Sequence, residues 1–181
     1  MTSIPVHPAL VHLPLGLALV LPVLAIGFSW ALWKGSISPR VWLAIVVLQA
    51  VLLGSGLVAL RAGLHEEDRV ESTVPKTALE RHEALAEQFL WIAALTLVPA
   101  GAVLAVRRPG AVQALTVATV LGSFLTTAAA VRVGHAGGQL VFVHNAGAAY
   151  VSDNKSLPQA DNTAAKKPVA AEANVSNKND D

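Results

Sequence analysis

The chain contains no cysteine, and its single methionine is Met1. Disulfides, thiolate-bound iron–sulfur clusters, covalent c-type haem attachment and a cysteine nucleophile are therefore excluded, and no thioether remains in the body of the protein to ligate a metal. Any metal or haem must be held by nitrogen or oxygen. Charge is also scarce: 14% of the 181 residues are Asp, Glu, Lys or Arg, against 54% hydrophobic, far from the balance of a soluble domain. No basic patch suited to nucleic acid is present, and neither a P-loop nor a Gly-x-Ser-x-Gly elbow occurs to support kinase or hydrolase chemistry. The string GSGLVA (54–59) matches a dinucleotide fingerprint loosely, but it lies in an apolar helical run with no strand before it. Neither nucleotide nor flavin is expected.

What the sequence does have is long apolar runs. A bilayer core of about 30 Å needs roughly 20 apolar residues of helix. Stretches of that kind lie at about 10–33, 41–60, 88–106 and 109–131, and none contains Asp, Glu, Lys or Arg. Pro39 precedes the second, a Thr77/Glu80 pair spaced as a capping box precedes the third, and Pro109-Gly110 opens the fourth. The first run differs from a signal peptide in having no basic residue before it and in carrying Pro8, Pro14 and Pro22, so it reads as a retained helix. Pro8 suits a first helical turn, whereas Pro14 and Pro22 are expected to kink the helix. The expectation is an all-α protein: an integral membrane four-helix bundle over residues 1–150, with a polar tail over 151–181 expected to be disordered.

Charge sets the topology. The connection after the first span carries Lys34 and Arg40, and that after the third carries Arg107 and Arg108, both without acid. By the positive-inside rule this side is cytoplasmic. The remaining connection, 61–87, mixes Arg61, Arg69, Lys76 and Arg81 with Glu66, Glu67, Asp68, Glu71, Glu80, Glu83 and Glu87. It is expected outside together with both termini, which places the protein in a bacterial inner membrane. All six histidines then fall on the periplasmic side: His7 and His12 at the first helix, His65 after the second, His82 before the third span, His135 and His144 after the fourth. At 1.5 Å per residue, His12 and His135 stand near the hydrocarbon edge and His82 roughly 10 Å above it.

The segments HPALVHLPLG (7–16), RHEALAEQF (81–89) and GHAGGQLVFVHN (134–145) resemble the domain of unknown function 2231 family, small bacterial membrane proteins with an HP-x-x-VH-x-P opening and a closing GG-x-LV-x-x-H segment. The resemblance covers roughly 5–149 and falls on His7, Pro8, His12, Pro14, His82, Gly137, Gly138, Leu140, Val141 and His144. Gln139, Phe142, Val143 and Asn145 depart from the family's usual GGELVYRHG. The resemblance implies a fold and a topology, and the layout of helices and histidines is similar to that of b-type membrane cytochromes.

Three functional readings follow. In the first, the bundle binds haem b for a redox or electron-transfer role, because facing helices can present histidines to both axial positions of one iron. His12 and His82 are the leading pair, His7, His135 and His144 are further candidates, and Arg61, Arg81 and Arg132 are available for propionates. Gly54, Gly56, Gly122 and Ser123 either admit a macrocycle or pack helices. In the second, His65, Glu66, Asp68, His82 and Glu83 hold zinc or copper. HEALA (82–86) begins like a zinc-protease helix but lacks the second histidine. In the third, the chain is a non-catalytic accessory subunit of a larger membrane complex. Partners are the lipid bilayer and a redox partner or such a complex. Conduction across the bilayer is disfavoured, since the spans offer only Gln49, Gln113 and hydroxyls. The double glycine 137–138 is expected to end the last helix, with His144 on a segment folded back over the periplasmic face.

Overall fold

The computed structural model describes residues 6–148; the polar tail expected over 151–181 lies outside them. The elements are α1 (Val6–Leu10), α2 (His12–Trp33), a short 3-10 turn (Pro39–Trp42), α3 (Leu43–Val70), α4 (Lys76–Ala105) and α5 (Pro109–Phe142), with no strand among the described residues. Helices α2 to α5 are each long and apolar enough to cross a membrane. Each packs on its neighbours in sequence, and α5 closes the ring on α2, so the bundle runs up and down without a crossover. The short α1 lies against α3 and α2.

The residue distribution is that of a lipid-embedded bundle. Inside are small side chains and hydroxyls: Ala18, Ala25, Ala93, Ala100, Ala129 and Ala130 with Thr116, Thr119, Ser123 and Thr126. Outside are large apolar ones, among them Val23, Trp30, Trp91, Leu95, Phe124 and Leu125. Without a hydrophobic force between helices in lipid, association rests on close packing and hydrogen bonds, which small residues permit. At Gly122 a Cβ would lie 2.6 Å from Thr96 Oγ1, so this glycine sets the approach of α4 to α5. Gly56 is occupied in the same way by Leu90 and Phe89. Of the small residues weighed for a macrocycle, Gly56 and Gly122 thus pack helices, and Ser123 is buried and donates to the Thr119 carbonyl at 2.8 Å.

Polar groups inside the bundle tie helices together. Pro22 lies inside α2 and, lacking an N–H, leaves the Ala18 carbonyl without its intrahelical donor. Thr127 of α5 donates its hydroxyl to that carbonyl. Trp42, fully buried, donates Nε1–H to the Ala100 carbonyl at 2.9 Å, and Gln49 Nε2 donates to the Ala93 carbonyl at 3.3 Å. Trp33 Nε1–H reaches Thr116 Oγ1 at 3.0 Å near the opposite end from the histidines.

Two local expectations are corrected. Helix α4 begins at Lys76 with Pro75 as its N-cap and no side-chain cap, so Thr77 and Glu80 lie within the helix and form no capping box. The Pro75 carbonyl accepts from Ala78 N at 2.9 Å, which places the first turn two residues ahead of where a Thr77 N-cap would start it. Likewise α5 does not stop at Gly137-Gly138 but continues to Phe142, and a turn through Asn145 (φ 55°) follows. Glycine costs a helix about 1 kcal/mol without forbidding it, and Gly137 has a packing role described below. With 28, 30 and 34 residues, α3, α4 and α5 measure about 42, 45 and 51 Å, well beyond a core of about 30 Å. The connections at the basic end are short, so the surplus stands at the histidine end, where 76–87 carries Lys76, Glu80, Arg81, Glu83 and Glu87 ahead of the apolar stretch.

Candidate functional site

Helix α1 is pinned to α3 by two contacts of one residue. The His7 backbone N–H donates to Glu66 Oε1 at 3.4 Å, and its ring Nδ1–H donates to the Ala59 carbonyl at 2.8 Å. One turn beyond Ala59 stands Gly63, where a Cβ would lie 3.2 Å from His7 Cε1 and Nδ1. The missing side chain is what lets the imidazole reach the helix backbone. With Nδ1 committed as donor, the neutral ring has its free lone pair on Nε2.

His82 repeats the arrangement on the other half of the bundle. It leaves α4 toward α5, where a Cβ at Gly137 would lie 3.2 Å from its Cε1. Val133, one turn before Gly137, is the backbone position whose hydrogen bonding acts on this imidazole. Ala59 and Gly63 on α3 thus correspond in spacing to Val133 and Gly137 on α5, and each pair receives one histidine. His82 stands in the hydrophilic opening turns of α4, outside the apolar stretch. Burial holds its pKa below the ordinary 6.5, the neighbouring His7 adds to that shift, and the Val133 backbone opposes it. Its Nδ1 is buried without a hydrogen-bond partner.

The two rings meet. His7 and His82 have centroids 6.4 Å apart and planes at 90°. The other histidines do not join them. His12, expected to pair with His82, is the exposed first residue of α2, His135 is exposed on α5, and His144 is half-buried in the turn after α5. His65 is exposed and donates Nδ1–H to the Arg61 carbonyl at 2.8 Å, a bond within its own helix. Of the residues considered for an ion site, Glu66 receives the His7 N–H, Asp68 is exposed and Glu83 is half-buried. Among the described residues no three or more His, Asp or Glu side chains converge as a metal group.

The arginines separate as well. Arg61 is exposed on α3 near Ala59 and Gly63. Arg81 and Arg132 line a groove of about 580 Å³ between α4 and α5, together with Glu87, Gln88, Trp91 and Ile92. Deep in the bundle, Gln49 Oε1 and Ser29 Oγ are buried without partners. The exposed Gln113 takes no part in that interior.

The class defined here is a multi-pass helical membrane protein with a two-histidine cluster at one end of its bundle. No family model, curated protein or solved structure matches the chain.

The sequence signal for the site was the His7-Pro8 opening and the His82 segment, but nothing in their spacing selects His7 over His12. The deciding residues are Gly63 and Gly137, each four positions after a small or β-branched residue on the receiving helix. Glycines elsewhere in the spans share that appearance, so the pattern becomes distinctive only once α1 is seen to lie on α3.

Proposed function

We propose that the protein is a membrane-embedded redox carrier that binds haem b between His7 and His82 at the periplasmic face of a bacterial inner membrane. The observation that carries this reading is the spacing of the two rings. A metal–nitrogen bond of about 2 Å on each side, with roughly 1 Å from nitrogen to ring centre, sets two opposed imidazoles about 6 Å apart, against the 6.4 Å found. Carried by α1 and α4, His7 and His82 would hold the iron from two separate helices. The count of ligands points the same way. A zinc or copper ion asks the protein for three or four donors, whereas a porphyrin supplies four of its own and needs two. The cluster offers two.

The protein's contribution is orientation and protonation state. The Ala59 carbonyl fixes the His7 ring by its Nδ1–H and raises the basicity of Nε2, as second-shell acceptors do for metal-bound imidazoles. The lowered pKa of His82 keeps that ring in the neutral, ligating form at neutral pH. Haem, when bound, supplies a one-electron couple. Arg61, exposed on α3 between Ala59 and Gly63, would be available to a propionate on the His7 side. The ligand pair lies at one end of the bundle, so electron transfer across the bilayer needs a further centre in a partner. The basic short connections support the periplasmic placement.

The test is an absorption spectrum of detergent-purified protein expressed with ample haem, recorded with and without dithionite. A Soret band with sharpened α and β bands on reduction is expected. No Soret band, with the fold intact by circular dichroism, overturns the reading and leaves the accessory-subunit role.

A further inference from the structure

The groove between α4 and α5 has a composition that the histidine site does not explain. It is lined by the charged side chains Arg81, Glu87 and Arg132 together with Trp91 and Ile92. Arg132 Nη1 donates to Gln88 Oε1 at 3.4 Å, and among the described residues neither guanidinium has an ion-pair partner, although Glu87 lines the same groove. Two guanidiniums and a single carboxylate thus share a groove otherwise lined largely by apolar side chains, a net positive charge. The groove also lies at a defined depth. Glu87 is the last acidic residue before the third apolar run, Arg132 the first charged residue after the fourth, and Trp91 is 70% exposed just inside the apolar run. That level is the lipid headgroup region, where tryptophan and arginine are favoured.

We propose that this groove is a binding site for an anionic phospholipid whose headgroup bears hydroxyls. The phosphate lies between the Arg81 and Arg132 guanidiniums, which supply planar donor forks that an ammonium lacks. The headgroup hydroxyls donate to the Glu87 carboxylate and the Gln88 amide oxygen, which gives the acid in this groove a role that a bare phosphate site would not. An acyl chain descends over Trp91 and Ile92. A choline headgroup carries neither net negative charge nor hydroxyls and satisfies neither half of the site. The proposal does not rest on the haem reading.

The test is native mass spectrometry of the full chain released from detergent micelles, with phosphatidylglycerol or phosphatidylcholine of identical acyl chains added, on haem-free and haem-loaded protein. Phosphatidylglycerol is expected to stay bound in preference to phosphatidylcholine. Retention falls about fivefold for each guanidinium removed by Arg81→Gln and Arg132→Gln, while Lys76→Gln, outside the groove, leaves it unchanged. Equal retention of the two lipids overturns the proposal, as does unchanged phosphatidylglycerol binding in the Arg81→Gln/Arg132→Gln protein. Loss of the lipid on haem loading also overturns it, because the arginines would then serve the haem.

Discussion

The imidazoles of His7 and His82, carried by the first and fourth helices of the described chain, meet with centroids 6.4 Å apart and planes perpendicular. Each ring rests on a glycine of a different helix, His7 on Gly63 and His82 on Gly137. The relation is set by backbone geometry more than by side-chain packing.

Adding a methyl group at either glycine should therefore separate folding from ligation. Gly63→Ala and Gly137→Ala each gain helix propensity of up to about 1 kcal/mol, but the new Cβ, 3.2 Å from the ring, must push the imidazole by a few tenths of an ångström. Thermal stability of the haem-free protein in detergent is expected to hold or rise, while haem occupancy falls. Haem titration against melting temperature checks both directions.

Acid should weaken the fold through His82. Its folded pKa lies below the 6.5 of the unfolded chain, so above that pH both states are neutral and the full stability is present. As pH falls through 6.5 toward the depressed folded value, the unfolded state takes up the proton first and stability declines. Melting temperatures of haem-free protein between pH 8 and pH 5 (roughly the range over which histidine titrates) should show this decline. In His82→Gln it should be smaller.

The Thr127 bond to Ala18 should matter because of Pro22. Thr127→Val leaves the Ala18 carbonyl without a donor at a site where lipid and apolar side chains offer none, at a cost of about 1 kcal/mol. In a Pro22→Ala background the restored N–H supplies the carbonyl within α2, and the cost of Thr127→Val should shrink. A double-mutant cycle by unfolding in mixed micelles measures the difference.

Because the natural chain has no cysteine, single introduced cysteines report topology without background. Glu71→Cys, between α3 and α4, should react with a membrane-impermeant maleimide in spheroplasts. Ser36→Cys, in the basic connection, should react only after permeabilisation. The reverse pattern would place the histidine end in the cytoplasm.

The four helices were legible because each apolar run has the length a bilayer demands and is bounded by charge. Their ends were less so. Charged residues such as Glu66 and Arg81 mark where lipid stops, not where helix stops, and α3, α4 and α5 continue beyond it. The glycine pair 137–138 has the chemistry of a terminator, yet it sits in helix because Gly137 receives the His82 ring. Among the site residues, His82 stood out in the sequence, but its meeting with His7 depends on α1 folding onto α3 through Ala59 and Glu66. No local pattern encodes that contact, and His12, a turn and a half further on, carries the same motif to an exposed position.

Haem stoichiometry in single-histidine variants bears most directly on the role of the pair. With the protein expressed in ample haem and quantified by pyridine haemochrome, the expected result is one haem per chain in the natural protein and in His12→Ala, with loss in both His7→Ala and His82→Ala. Haem retained in His7→Ala and lost in His12→Ala would contradict the pairing, and no haem in any form would contradict the redox role itself.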